Sequence, residues 1–145
     1  MATFTEPNVS RITVELELAN EWDAAYAARG DIQPDQIRHV PVRCIVDPGA
    51  ALVVVPESVA TELGLRISGQ TNVTYADGRA ARRNVVEPLR LTCAGRSGVF
   101  SAIAEPNRQT ALIGAVVLEV IDLVADCKNG RLIPRDPDTT IHEIE

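Results

Sequence analysis

Apolar and polar positions alternate along residues 11–18: Ile12, Val14, Leu16 and Leu18 fall on one side, Thr13, Glu15 and Glu17 on the other. A period of two marks a strand buried on one face. Asn20 follows as a helix cap, with Asp23 where a capping box places its acid and Gly30 at the stop. The pattern therefore predicts a short helix with Trp22, Ala25 and Tyr26 as its packed face. Residues 30–36 read as loop, and the β-branched side chains of residues 40–46 predict a second strand. After an apolar run over 52–55, Pro56 suits a first helical turn and Gly64 its end, which predicts a helix over 56–63. Segments 73–75 and 80–86 flank Ala76-Asp77-Gly78-Arg79, and Asp-Gly between extended segments signals a hairpin. Segments 89–93 and 99–104 form another pair, joined through residues 95–98. A strand over 110–113 stops at Gly114 and turns helical over 115–119, and 121–125 pairs with 132–133 across Lys128-Asn129-Gly130. No segment repeats.

Composition narrows the class. At 145 residues the chain holds one domain with a real core: residues 1–134, with a loop and short helix inserted at about 19–38. Residues 135–145 form an acidic tail carrying Asp136, Asp138, Glu143 and Glu145, without periodicity and expected to be mobile. One Trp, two Tyr and two Phe make the core aliphatic and leave no stacking platform for single-stranded nucleic acid. A net charge of −6, without a basic block, argues against any nucleic-acid partner. No apolar run reaches the roughly 20 residues that span a bilayer, and residues 1–10 lack the layout of a signal peptide, so no membrane partner is expected. Cys44, Cys93 and Cys127 show no ligand spacing and read as free thiols of a reducing cytoplasm. In that compartment the Arg29-Gly30-Asp31 triplet and the glycosylation triplets at Asn8 and Asn72 are chance. His39 and His142 have no partners at ligand spacing, so neither metal nor other cofactor is expected.

Four features occur in a definite order: Ile45-Val46-Asp47-Pro48-Gly49-Ala50; a helix ending Leu63-Gly64-Leu65; the Asp77-Gly78 hairpin; and Ala111-Leu112-Ile113-Gly114 followed by Val117-Leu118-Glu119. This order resembles the retropepsin-like aspartic peptidases, including their bacterial single-domain members, over residues 12–134. Their pattern is two hydrophobic residues before Asp-Thr/Ser-Gly-Ala, then much later two hydrophobic residues and a Gly before a short helix.

The resemblance implies a mainly β fold, a closed acid-protease β-barrel with one or two short helices. It implies an aspartic-type endopeptidase with Asp47 as the catalytic carboxylate. Gly49 and Ala50, with Tyr75, Asp77 and Gly78 of a flap hairpin, would meet a peptide or protein substrate. Such enzymes hold two carboxylates over one water, sharing a proton because both cannot ionise at that distance. The loop occurs once, so the second Asp must come from a homodimer partner. Pro48 departs from the pattern: it supplies neither the hydroxyl nor the N–H that ties the two loops together in the family. A catalytically inactive module of the same fold, used for peptide binding or self-association, is the alternative. Ile113 and Gly114 would pack beneath the loop, and Asp126, with no Gly after it, reads as a strand-end surface charge.

Overall fold

The computed structural model describes residues 12–145, so Arg11, the segment 1–10 and Asn8 lie outside the described residues. Strand β1 (Ile12–Asn20) runs antiparallel to β2 (His39–Val46), with Ile12 opposite Val46 and Ala19 opposite His39. Between them lie helix α1 (Glu21–Ala28) and a single 3-10 turn at Pro34–Gln36. Then come β3 (Val54–Pro56), α2 (Glu57–Glu62), β4 (Arg66–Thr74), β5 (Ala80–Cys93) and β6 (Arg96–Glu105). The chain continues with β7 (Ala111–Ile113), α3 (Ala115–Ile121), β8 (Leu123–Asp126) and β9 (Arg131–Pro134). The sheet order β1-β2-β7-β3-β6-β5 closes through a further β1–β5 pairing, which makes a six-stranded barrel with β4 as an outer strand.

Alternation explains the core. Ile12, Leu16 and Leu18 of β1, Cys44 and Val46 of β2, Leu89 and Leu91 of β5 and Ile113 of β7 are all at most 1% exposed. Burial pushes the Cys44 thiol up to about 12, with the neighbouring Cys93 adding to it, so the thiol stays protonated and inert.

Among the described residues the α-helices are few and short, α1, α2 and α3, on a mainly β barrel. Several expectations change. Trp22, Ala25 and Tyr26 point outward, and Asp23 is the buried residue of α1. The reason is Arg38, whose N, Nε and Nη2 donate to the Asp23 carboxylate at 3.0, 2.8 and 3.1 Å. These bonds hold Asp23 below the usual carboxylate range and compensate its burial. Gly64, at φ +65°, lies against the Arg38 guanidinium where any Cβ would collide. Strand β5 runs unbroken through Pro88 with a bulge between Val86 and Leu89, and the β5–β6 turn is Ala94-Gly95 alone, both at positive φ. Residues 135–145 make hydrogen bonds back to the barrel and α3. Arg96 donates to Asp136 O and to Thr139 O, the Ile141 N–H donates to Asp122 Oδ2 at 2.9 Å, and His142 bonds the Val120 carbonyl at 3.0 Å. Among the described residues no helix is long and apolar enough to cross a membrane.

Asn20 links the helix to the barrel. Fully buried, it accepts from the Asp23 N–H at 3.2 Å and donates from Nδ2 to Leu63 O at 2.9 Å. Asn20→Ala removes a cap and orphans a buried carbonyl, so unfolding free energy should fall by about 2–4 kcal/mol. Denaturant titration checks this; a loss under about 1 kcal/mol would mean that other contacts carry the link.

Candidate active site

The Asp47 loop is held by its backbone. Strand β2 lies parallel to β7, with Val46 opposite Ile113, and the Asp47 N–H donates to Ile113 O at 2.9 Å. Just after the strands part, the Ala50 N–H closes a turn onto Asp47 O at 2.9 Å, and Ala50 O accepts from the Ala115 N–H at 2.8 Å. The loop therefore rests on the junction of β7 and α3. Gly114 is buried there, and a Cβ on it would run into the Ala50 carbonyl and the Ala51 nitrogen.

Asp47 itself is exposed beyond the end of β2. Its Oδ1 accepts the Gly49 N–H at 3.0 Å, which fixes one oxygen and leaves the other open to solvent or ligand. A Cβ at residue 49 would sit 3.3 Å from that oxygen, tighter than side chains ordinarily approach. Pro48, between them, is exposed.

Above the loop stands the hairpin of β4 and β5. Its turn closes with the Tyr75 N–H on Arg79 O at 2.8 Å and the Gly78 N–H on Tyr75 O at 2.9 Å, and Gly78 takes φ +87°. A cleft of about 260 Å³ opens between loop and hairpin, lined by Ala50, Ala51 and Leu52 on one side and by Val73, Thr74 and Tyr75 on the other. The fold thus brings Ala50 and Tyr75 to one cavity beside the Asp47 loop. Asp47 and Gly49 stand outside that lining, and so do Asp77 and Gly78 at the exposed tip. There the Arg79 N–H and Nε donate to Asp77 at 3.0 and 2.6 Å and hold its carboxyl below the usual range.

The sequence did not point to the polar side of the cleft. Glu105, at the end of β6, accepts from the Tyr75 hydroxyl at 2.6 Å and from Arg83 Nε at 2.8 Å. The Glu105 carboxylate beside it pushes the Tyr75 phenol above its ordinary value, so the hydroxyl stays protonated as the donor. This knot ties the turn end of the hairpin to the barrel wall. Its members come from three separate segments, a convergence that local spacing does not encode. The remaining carboxylate of interest, Asp126, accepts from Asn129 Nδ2 at 2.8 Å and pairs with Arg131 at 3.2 Å on the β8–β9 hairpin. Among the described residues no group of three or more His, Cys, Asp and Glu side chains is placed to hold a metal ion.

The sequence model of one family, described as aspartyl protease, matches residues 34–117, from the 3-10 turn into α3. The chain belongs to the aspartyl protease family. Within it the fold is retropepsin-like. The retroviral protease-like domain of Ddi1 from Leishmania major superposes with a TM-score of 0.50 at 19% identity, covering 67% of this chain and 81% of that one. A retropepsin-like aspartic protease from Rickettsia conorii covers 87% of this chain and 91% of its own, at 14% identity and a TM-score of 0.41. The simian foamy virus protease covers 54% and 80%, at 19% identity and a TM-score of 0.42. No curated protein matches the sequence.

Proposed function

We propose that two copies of this chain form an aspartic endopeptidase in which each supplies one Asp47 to a shared dyad. The observation that carries the reading is the Asp47 loop itself. An exposed carboxylate, bonded by the Gly49 N–H on one oxygen, stands on a loop whose continuation, Ala50 to Leu52, lines a cleft shared with the β4–β5 hairpin. In the proposed dimer the two carboxylates share one proton and hold a water between them. The ionised one takes a proton from the water as it attacks the peptide carbonyl, while the other donates its proton to the carbonyl oxygen. Collapse of the tetrahedral intermediate breaks the C–N bond, with a proton delivered to the leaving amine. Tyr75, Asp77 and Gly78 close over the peptide, and Gly49 and Ala50 contact it from below. The reduced, buried Cys44 and Cys93 support a cytoplasmic setting.

The alternative, a peptide-binding or self-associating module without catalysis, is favoured by one residue. Pro48 lacks the N–H and hydroxyl that would bond the partner loop at the dimer axis. Pro48→Thr separates the two readings. In a weakened peptidase it restores bonds worth about 0.5–1.5 kcal/mol each, tightens the dimer and raises turnover. Sedimentation together with peptide cleavage from acid to neutral pH reads both. A variant that dimerises firmly and never cuts leaves the binding module standing, and a protein that stays monomeric at assay concentrations sinks the shared dyad.

The flap assignment has its own test. Deleting residues 77–79 should weaken peptide binding about tenfold, or ~1.4 kcal/mol, with little change in melting temperature, because the exposed tip buries no core. A large fall in melting temperature would mean that the hairpin serves the core instead.

A further inference from the structure

Two charged side chains stand in the largely apolar wall of the cleft, Glu105 and Arg108. Glu105 is engaged with Tyr75 and Arg83, as described. Arg108 is different. Half-buried, it donates from Nε to Thr110 O at 2.6 Å, a bond that orients its guanidinium. Among the described residues its Nη1 and Nη2 have no hydrogen-bond partner, and no carboxylate forms an ion pair with it. Arg108 also borders a second, polar groove of about 680 Å³ that begins at Glu57 and Ser58. It is therefore the wall shared by the cleft and this groove, where a chain leaving the cleft would pass.

An oriented guanidinium with two open terminal amines matches a carboxylate end-on, through two parallel charge-assisted hydrogen bonds. The aliphatic part of the cleft lining, Leu52, Val54, Val73 and Leu112, matches an aliphatic side chain. We infer that Arg108 is a specificity-determining residue, selecting peptides that carry an acidic side chain close to the aliphatic one seated in the cleft. The inference rests on the reading of this cleft as the peptide site. Glu57 lines the outer groove and not the cleft, so a ligand carboxylate is favoured on the cleft side of Arg108. At long range a net charge of −6 repels acidic peptides, so the preference must be local to Arg108. Salt should then erode it far less than it erodes an exposed pair.

The test uses synthetic peptides in which a Glu is moved stepwise along either side of a Leu, each with a Gln twin. Binding is measured on full-length Asp47→Asn, which keeps the peptides intact, and cleavage on the wild type. At one spacing Glu should bind about tenfold tighter than Gln, the effect of a hydrogen-bonded charge. Arg108→Gln in the same background should abolish that ratio. Arg108→Lys, which keeps the charge without the fork, should retain only part of it and guards against a folding defect in the Gln variant. Absence of binding, equal binding of every Glu and Gln pair, or a ratio unchanged by both Arg108 variants would overturn the inference. The peptidase reading fails separately. Glu-selective binding without wild-type cleavage supports the role of Arg108 and removes catalysis, whereas cleavage indifferent to Glu removes Arg108 and keeps the peptidase.

Discussion

Asp47→Asn should abolish peptide cleavage while leaving the fold and its melting temperature almost unchanged. An amide neither accepts the proton of the attacking water nor donates one to the carbonyl, and in a homodimer one substitution removes both partners of the dyad. General acid and base contributions of about 10²–10⁴-fold each make a combined loss of at least about 10⁴-fold the expectation. Stability should move by no more than about 0.5 kcal/mol, as for other exposed positions. The reason is local: the substituted amide would keep an oxygen for the Gly49 N–H, which Asp47 Oδ1 accepts at 3.0 Å. The backbone bonds from Asp47 N to Ile113 O and from Ala50 N to Asp47 O do not involve the side chain. Cleavage of an unfolded protein pool by wild type and variant, with thermal unfolding alongside, decides it. Equal cutting by both would assign the activity to another site or a contaminant.

Much of this site was legible because its parts are local. The Asp47 loop is a run of a few residues after a β-branched strand, the Asp77-Gly78 turn announces its hairpin, and Gly114 ends an apolar strand. The Asn20 cap is legible for the same reason, since its partner Asp23 is three residues away. What stayed hidden depends on distant pairings. The barrel closes because Leu18 meets Leu91 and Asn20 meets Leu89, a pairing that periodicity in either strand leaves open. Helix α1 turns its aromatic residues outward because Arg38, across the 3-10 turn, draws Asp23 inward; read alone, the amphipathic pattern gives the opposite face. The contacts of residues 135–145 with Arg96, on a strand far upstream, and with Asp122 are likewise distant in sequence. Arg135 and the Ile141 N–H hold the Asp122 carboxyl below its usual range. A depressed folded pKa stabilises above the unfolded value and is lost as pH falls through the folded one, so this anchor belongs to neutral pH and weakens only in strong acid. In the cleft, Glu105 and Arg108 share a wall, with Arg83 bonded to Glu105 behind it, only after β5, β6 and the loop before β7 have assembled.

Gly114→Ala should damage the site through its support. Gly114 has φ −118° and ψ −163°, open to any residue, so torsion does not demand glycine there. Space does: the added Cβ meets the Ala50 carbonyl and the Ala51 nitrogen, which are backbone and cannot swing aside. Ala50 O is also the acceptor for the Ala115 N–H at 2.8 Å, so relief of the clash must lengthen the bond that seats the loop on α3. Overpacking of this kind costs about 1–3 kcal/mol. If the peptidase reading holds, a shift of about 1 Å in the Asp47 loop should lower turnover on the order of a hundredfold, measured below the variant's melting temperature. Gly69 is the control, because nothing lies within 4 Å of a Cβ there and its φ is not in the left-handed region. Gly69→Ala should shift stability by at most about 1 kcal/mol and leave turnover intact. If Gly114→Ala matched Gly69→Ala in both melting and turnover, the loop would not rest on the β7–α3 junction, and the route from Ile113-Gly114 to the Asp47 carboxylate would have to be abandoned.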